Sequence, residues 1–336
     1  MLNVQVTDLS DKPVTGLKPE DFTLLDNHKP QKIAAFREVD GQAFSSDVHV
    51  VLVLDAINDG GSAIGHLKKD FGRFLSLGHE PLAYPLSLIF VSDAGAVESQ
   101  PSTDRAVIAA QLAQFAHRPH SSDCEPIESI EGSRMQGQPT PTQGSRTQEQ
   151  ADCMTAHFTQ SVAALRNLLA EQQNLPGRAI LVWAGAGWPM VADYGAGPGA
   201  GEHPGNYRDV LVELTMDLRE AQVTLDAISW GDFKRPKHVR KPIVSVNASV
   251  PYTPDQIAEE EMALSVLARL SGGQAVAKVK NFSDIFATFL AGADHFYGLS
   301  FDSVPAAAPD EFHTIEVKVD RPGVTVRTST AYYAQP

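Results

Sequence analysis

Asp55 ends the apolar run in VVLVLDAINDGG, residues 50–61, and Asp59 follows four positions later. Grouped oxygen donors of this kind are what Mg²⁺ and Ca²⁺ take as ligands. Asp93 ends a second apolar run, PLSLIFVSD, and would bring a third carboxylate to the same region. A site made only of Asp55, Asp59 and Asp93 would hold an ion weakly, because Mg²⁺ demands near-octahedral geometry and gives up its waters reluctantly. The other chemistry open to Asp55 is to accept hydrogen bonds from the amides of the loop after it.

Other constellations point away from catalysis. Gly185-Ala186-Gly187-Trp188-Pro189-Met190 starts like a dinucleotide fingerprint. It lacks the third glycine, and no helix opens at Pro189 to face a pyrophosphate. No Gly-x-Ser-x-Gly elbow and no Walker loop is present. His117 and His120 flank Arg118-Pro119 and read as solvated side chains. No catalytic residue is assigned and no enzyme is expected. Two tryptophans, Trp188 and Trp230, follow or end apolar runs and are expected near the edge that carries Asp55. They either pack under loops or serve as anchors of a protein interface, where tryptophan commonly dominates binding. Lys234, Arg235, Lys237, Arg240 and Lys241, with His238, form a basic run. That run is either solvated or a docking point for an acidic partner or glycan.

These residues need elements to position them, and the apolar pattern supplies the elements. A run such as VVLVL reads as a strand buried on both faces, as parallel strands of α/β proteins are. Similar runs recur at PLSLIFVSD, RAILVWAGAG and VTLDAISWGD, alternating with segments of helical spacing such as HLKKDFGRFLSLG and NYRDVLVELTMDLREAQ. Strands alternating with helices mean a doubly wound, mostly parallel sheet. The expected sheet has six strands and occupies residues 45–296. Both chain ends switch to period-two alternation, as in LNVQVTD and FHTIEVKVD. Residues 1–44 and 297–336 are therefore expected to pair into a small β-sandwich beside the larger domain, an arrangement that close chain ends favour.

The balance of 27 Lys+Arg against 41 Asp+Glu gives a formal net charge of −14. That excludes a generic nucleic-acid or anionic-membrane binder, and no apolar run approaches the ~20 residues that span a bilayer. Met1 leads directly into strand-like LNVQVTDL, so no signal peptide is read at this end. Cys124 and Cys153 bracket a polar insertion within 118–153, rich in Gln, Ser, Thr and Pro. Such a segment cannot bury enough surface to order itself. In an oxidising compartment a disulfide at its base would close it; two separate buried thiols are the other reading.

The order of elements resembles the von Willebrand factor A fold, and more closely the von Willebrand factor A-related proteins abundant in acidobacteria. VTDLSDKPVTGLKPEDFTLLDNHKPQKIAAF resembles that family's lead-in, FHTIEVKVDRPGVTVRTSTAYYA its closing strands, and GRAILVWAGAGWP its fourth-strand segment. The resemblance implies a secreted, periplasmic or envelope protein that binds other proteins. Many such domains carry a metal-ion-dependent adhesion site: Asp-x-Ser-x-Ser after the first strand, a later Thr, and an Asp after the fourth strand. Here the run is Asp55-Ala56-Ile57-Asn58-Asp59, Thr155 stands for the Thr, and Trp183-Ala184-Gly185-Ala186-Gly187 replaces the last acid. Ile57 offers no oxygen. The expectation is a degenerate site, no cofactor beyond weakly held Mg²⁺ or Ca²⁺, and a non-enzymatic interaction or adhesion module with a protein partner. The alternatives are metal-dependent adhesion through a weak Mg²⁺ site at Asp55 and Asp59, and, far behind it, an uncharacterised enzyme.

Overall fold

A computed structural model describes residues 1–39, 48–58, 62–116, 143–185, 188, 207–230, 263–290, 293, 295–309, 311–334 and 336. The alternating N-terminal pattern forms β1 (Leu2–Asp8), β2 (Phe22–Asp26), β3 (Lys29–Gln31) and β4 (Ile33–Val39). Along β1, Leu2, Val4 and Val6 are buried while Asn3 and Gln5 are half-exposed, as the strand's period of two requires. Asn27 and His28 turn β2 into β3 at positive φ, a conformation that Asn adopts more readily than most residues.

The next segment alternates strands and helices: β5 (Val48–Asp55), α1 (Ser62–Leu77), β6 (Leu86–Ser92), β7 (Gly95–Glu98), α2 (Arg105–Ala116), α3 (Gln143–Gln172), β8 (Arg178–Ala184), α4 (Tyr207–Glu220), β9 (Val223–Ile228), α5 (Ala263–Leu270), β10 (Ala275–Val276) and α6 (Phe282–Leu290). The strands form one six-stranded sheet in the order β10-β9-β8-β5-β6-β7, parallel except for the edge strand β7. The strand order reverses between β5 and β8, which makes that pair the topological switch point. Both strands are buried along nearly their whole length. Val51 and Val53 share one face with Leu181 and Trp183, in a core with Leu165 of α3, Leu214 of α4 and Leu267 of α5. Val50, Leu52 and Leu54 share the other face with Phe71 of α1, Ile108 of α2 and Phe286 of α6.

The chain closes with β11 (Phe296–Phe301), β12 (Glu311–Val319), β13 (Val324–Arg327) and β14 (Ala331–Ala334). Two four-stranded antiparallel sheets result, β13-β1-β11-β4 and β14-β12-β2-β3. Each takes two strands from either end of the chain, so neither end can complete a sheet alone. Between them Val4, Val6, Leu24, Tyr297, Leu299 and Ile315 form a core. The fold is thus von Willebrand factor A-like, with a flanking sandwich.

Beneath that core lies a buried polar cluster. Asp26 Oδ1 is 2.8 Å from His313 Nδ1, and the Tyr332 hydroxyl donates to Asp26 Oδ2 at 2.7 Å. The Arg219 guanidinium of α4 sits over the Tyr332 ring at 4.9 Å, which ties the sandwich to the parallel-sheet unit.

Two local features differ from the sequence-based expectation. α3 starts at Gln143, so the last third of the polar insertion is helix rather than loop. Its Gln, Arg, Glu and Ala residues favour helix, and extending an existing helix is far less costly than nucleating one. The hairpin strand β7, with Gly95 at φ 101°, was not expected from the sequence because it is short and carries one bulky apolar residue, Val97. Among the described residues no helix is long and apolar enough to cross a membrane.

Candidate functional site

Period two puts Val51, Val53 and Asp55 on one face of β5. The parallel register Val53↔Trp183 puts the Trp183 side chain on that same face, one step below Asp55. Asp55 is fully buried at the carboxyl end of the strand. The chain then turns sharply, and Asp55 Oδ1 accepts from the Ile57 and Asn58 amides, each at 3.1 Å. The Asn58 side-chain amide lies 3.2 Å from Oδ1 and 2.9 Å from Oδ2. The Trp183 indole N–H donates to Oδ2 at 3.0 Å. Asn58 Nδ2 also reaches Ser161 Oγ at 2.8 Å, which joins the loop to α3. Burial raises the Asp55 carboxyl above its ordinary value, and the Asn58, Trp183 and Ile57 donors act against that rise.

The walls around Asp55 are close. A Cβ on Gly185 would lie 2.9 Å from Asp55 Cβ, so the fourth-strand backbone passes directly beside the carboxylate. Ile57 points into the apolar core and is 4% exposed. Trp188 is fully buried, edge-to-face on Trp183 at 5.3 Å and on Phe158 at 6.0 Å.

The predicted site residues separate as follows. Asp93 is exposed and lies 3.8 Å from His157 Nε2, whereas Asp55 is closed off from solvent. Thr155 lies in α3, in a part whose side chains are not described. Asp59, Cys124, His117, His120 and the run Lys234, Arg235, Lys237, His238, Arg240 and Lys241 lie outside the described residues. Trp188 is withdrawn from any exposed patch because it fills the core above Trp183. Trp230 is half-buried on the opposite face of the sheet, where it donates to Asp70 Oδ2 at 3.1 Å and stacks on Phe282. Among the described residues no three His, Cys, Asp or Glu side chains converge on a point where a metal would sit.

The described residues at Asp55 do not fit the ion of the adhesion-site pattern. Among the described residues, the hydrogen bonds to its oxygens all come from N–H groups, so positive dipole ends already occupy the directions a cation would need. Sequence reasoning missed the roles of Trp183 and Asn58. Counting alternation from Val53 across to the matching strand would have placed Trp183 on the correct face, but not its reach to Asp55.

Two further buried titratable groups sit lower in the same unit. Asp226 of β9 accepts from the Gln274 amide at 2.8 Å, and burial pushes its carboxyl up to about 7. Arg178 at the start of β8 is buried over the Phe296 ring at 5.0 Å and donates to Thr224 Oγ1. Burial brings it down to about 10. Between α1 and α2 a cavity of about 470 Å³ is lined by His79, Asp104 and Arg105. Asp104 there caps α2 through the Ala106 amide, and Arg105 donates to the Glu80 and Phe74 carbonyls.

No family model matches the chain, and no curated protein matches it in sequence. Among solved structures it is similar to an aerotolerance-related membrane protein from Bacteroides fragilis (11% identity, 73% of this chain and 98% of that one, TM-score 0.33). It is likewise similar to BatB from Bacteroides thetaiotaomicron, a conserved hypothetical protein (8% identity, 74% and 98%, TM-score 0.34). A third is a manganese-loaded Plasmodium vivax TRAP protein (9% identity, 93% and 99%, TM-score 0.32). Likenesses at this level leave the functional question to the geometry.

Proposed function

We propose that this von Willebrand factor A-like chain is a non-enzymatic, extracytoplasmic protein-interaction module whose metal-ion-dependent adhesion site is degenerate. The observation that carries the reading is the state of Asp55: the carboxylate at the switch point is fully buried and surrounded by N–H donors from Ile57, Asn58 and Trp183. In this reading the site serves as scaffold, and recognition belongs to the surface around it. Trp188 is buried and Trp230 is held by Asp70 and Phe282, so the basic run Lys234, Arg235, Lys237, Arg240 and Lys241 makes the contact with an acidic partner. A disulfide between Cys124 and Cys153 closes the polar insertion, as suits an oxidising compartment.

The test is affinity capture from the envelope fraction of the organism that encodes the chain, with and without a chelator. Capture of one abundant acidic protein, unchanged by chelation and lost when Lys234, Arg235 and Lys237 are changed to Glu, supports the reading. Capture that requires Mg²⁺, or turnover of a substrate in a hydrolase screen, replaces it.

A further inference from the structure

We infer that Trp183 is a positioning residue that takes the place of a cation at the switch point, fixing residues 56–58 after β5 through Asp55. The inference rests on the interaction-module reading and adds how the recognition end of the sheet is set and what class of partner it can take. The indole N–H reaches Asp55 Oδ2 at 3.0 Å, from the strand that supplies an acid in the adhesion-site pattern. An N–H dipole does there what a bound ion would do, balancing a buried carboxylate that would otherwise be costly. The balance is completed by the loop itself. The Ile57 and Asn58 amides hold Oδ1, and the Asn58 side chain bridges the carboxylate to Ser161, which is fully buried in α3.

Three elements thereby meet at one carboxylate: β5, β8 and α3 at Ser161. Gly185 allows this, since any side chain there would press on Asp55 at 2.9 Å. Trp183 is itself held rigidly, fully buried with Trp188 edge-to-face at 5.3 Å. Residues 56–58 therefore need no ion to adopt their conformation. A partner's acidic side chain finds no metal to complete at this point, so the partner is one recognised without a metal-bridged carboxylate.

The chain has three tryptophans, so ¹⁵N-labelled indoles give three resolvable N–H signals, and Trp183→Phe assigns one by its disappearance. Asp55→Asn keeps the shape but weakens the acceptor, and it should move the Trp183 indole proton upfield while leaving that of Trp230 in place. Millimolar Mn²⁺ should leave the Trp183 signal of the wild-type chain as sharp as the other two. A Trp183 signal indifferent to Asp55→Asn, or one selectively broadened by Mn²⁺, overturns the inference. Should Asp55→Asn not fold, Asn58→Ser removes the competing donor from Oδ2. It should then move the same proton downfield, and an unmoved signal is the contrary result. Failure of the interaction-module reading shows differently, as absence of captured partner while the Trp183 signal still moves upfield in Asp55→Asn.

Discussion

Trp183 and Asp55 lie 128 positions apart, yet the indole of one donates to the carboxylate of the other at 3.0 Å inside the core. The bond joins β8 to β5 at the place where the sheet reverses its strand order, which is where open α/β sheets present their ligands. Here that place is filled from within.

Trp183→Phe keeps most of the ring packing and removes the donor. Hydrogen bonds to charged groups contribute roughly 1.5–3 kcal/mol, and the lost ring volume adds to the cost. Urea denaturation should show a fall of about 2–4 kcal/mol on those grounds. Wild-type stability in the variant would mean that the indole bond is not made.

The sandwich depends on both chain ends. β2 pairs with β12, and β1 pairs with β11 and β13. Deleting residues 1–40 removes four strands and leaves Ile315 and Val317 uncovered. Light scattering of the truncated chain should show aggregation. A soluble truncation that melts at the wild-type temperature would contradict the shared sandwich.

Asp226 sets a pH dependence of definite sign. Burial raises its carboxyl from 3.8 to about 7, against the pull of the Gln274 amide, Arg327 and Arg178. Between those two values the folded chain holds a proton that the unfolded chain has released. The stability this contributes is fully present below 3.8 and is lost as pH rises through about 7. A tenfold change in proton affinity corresponds to ~1.4 kcal/mol, so the loss is on the order of 4 kcal/mol. Asp226→Asn keeps an oxygen for the Gln274 amide and cannot ionise. Its stability relative to wild type should therefore climb with pH over that range in denaturant titrations. Parallel profiles would show that Asp226 does not titrate there.

The proposed disulfide closes 28 intervening residues between Cys124 and Cys153. The chain-entropy relation gives about 3–4 kcal/mol for such a loop. Thiol titration of unfolded, unreduced protein should find almost no free thiol, and the reduced form should melt at a lower temperature. Two titratable thiols per chain would rule the bridge out.

The architecture was legible in the sequence because its signals are local. Runs such as VVLVL and RAILVWA mark strands buried on both faces, and LNVQVTD and FHTIEVKV alternate so regularly that the sandwich halves could be paired. β7 escaped because four residues with one bulky apolar side chain carry too little pattern. The start of α3 escaped because a polar segment joined to an apolar helix gains order by propagation, which composition alone does not reveal. At the site, Asp55 and the missing oxygen at Ile57 were visible, since identity decides them. The donors were not. Asn58 acts through a turn that depends on backbone geometry, and Trp183 acts across 128 positions through strand register, which no spacing in the chain encodes.

The central claim is that protein donors, not an ion, satisfy Asp55. Calorimetric titration of Mg²⁺ and of Mn²⁺ into the folded chain tests it most directly. The expected result is heat of dilution alone, in the wild-type chain and in Asp55→Asn alike, with an unchanged melting temperature. An ion at about a hundredfold over its dissociation constant would add about 2.7 kcal/mol and a plain rise in the melting midpoint. Saturable heat in the wild-type chain that disappears in Asp55→Asn would contradict the claim and establish a working metal site at the carboxyl end of β5.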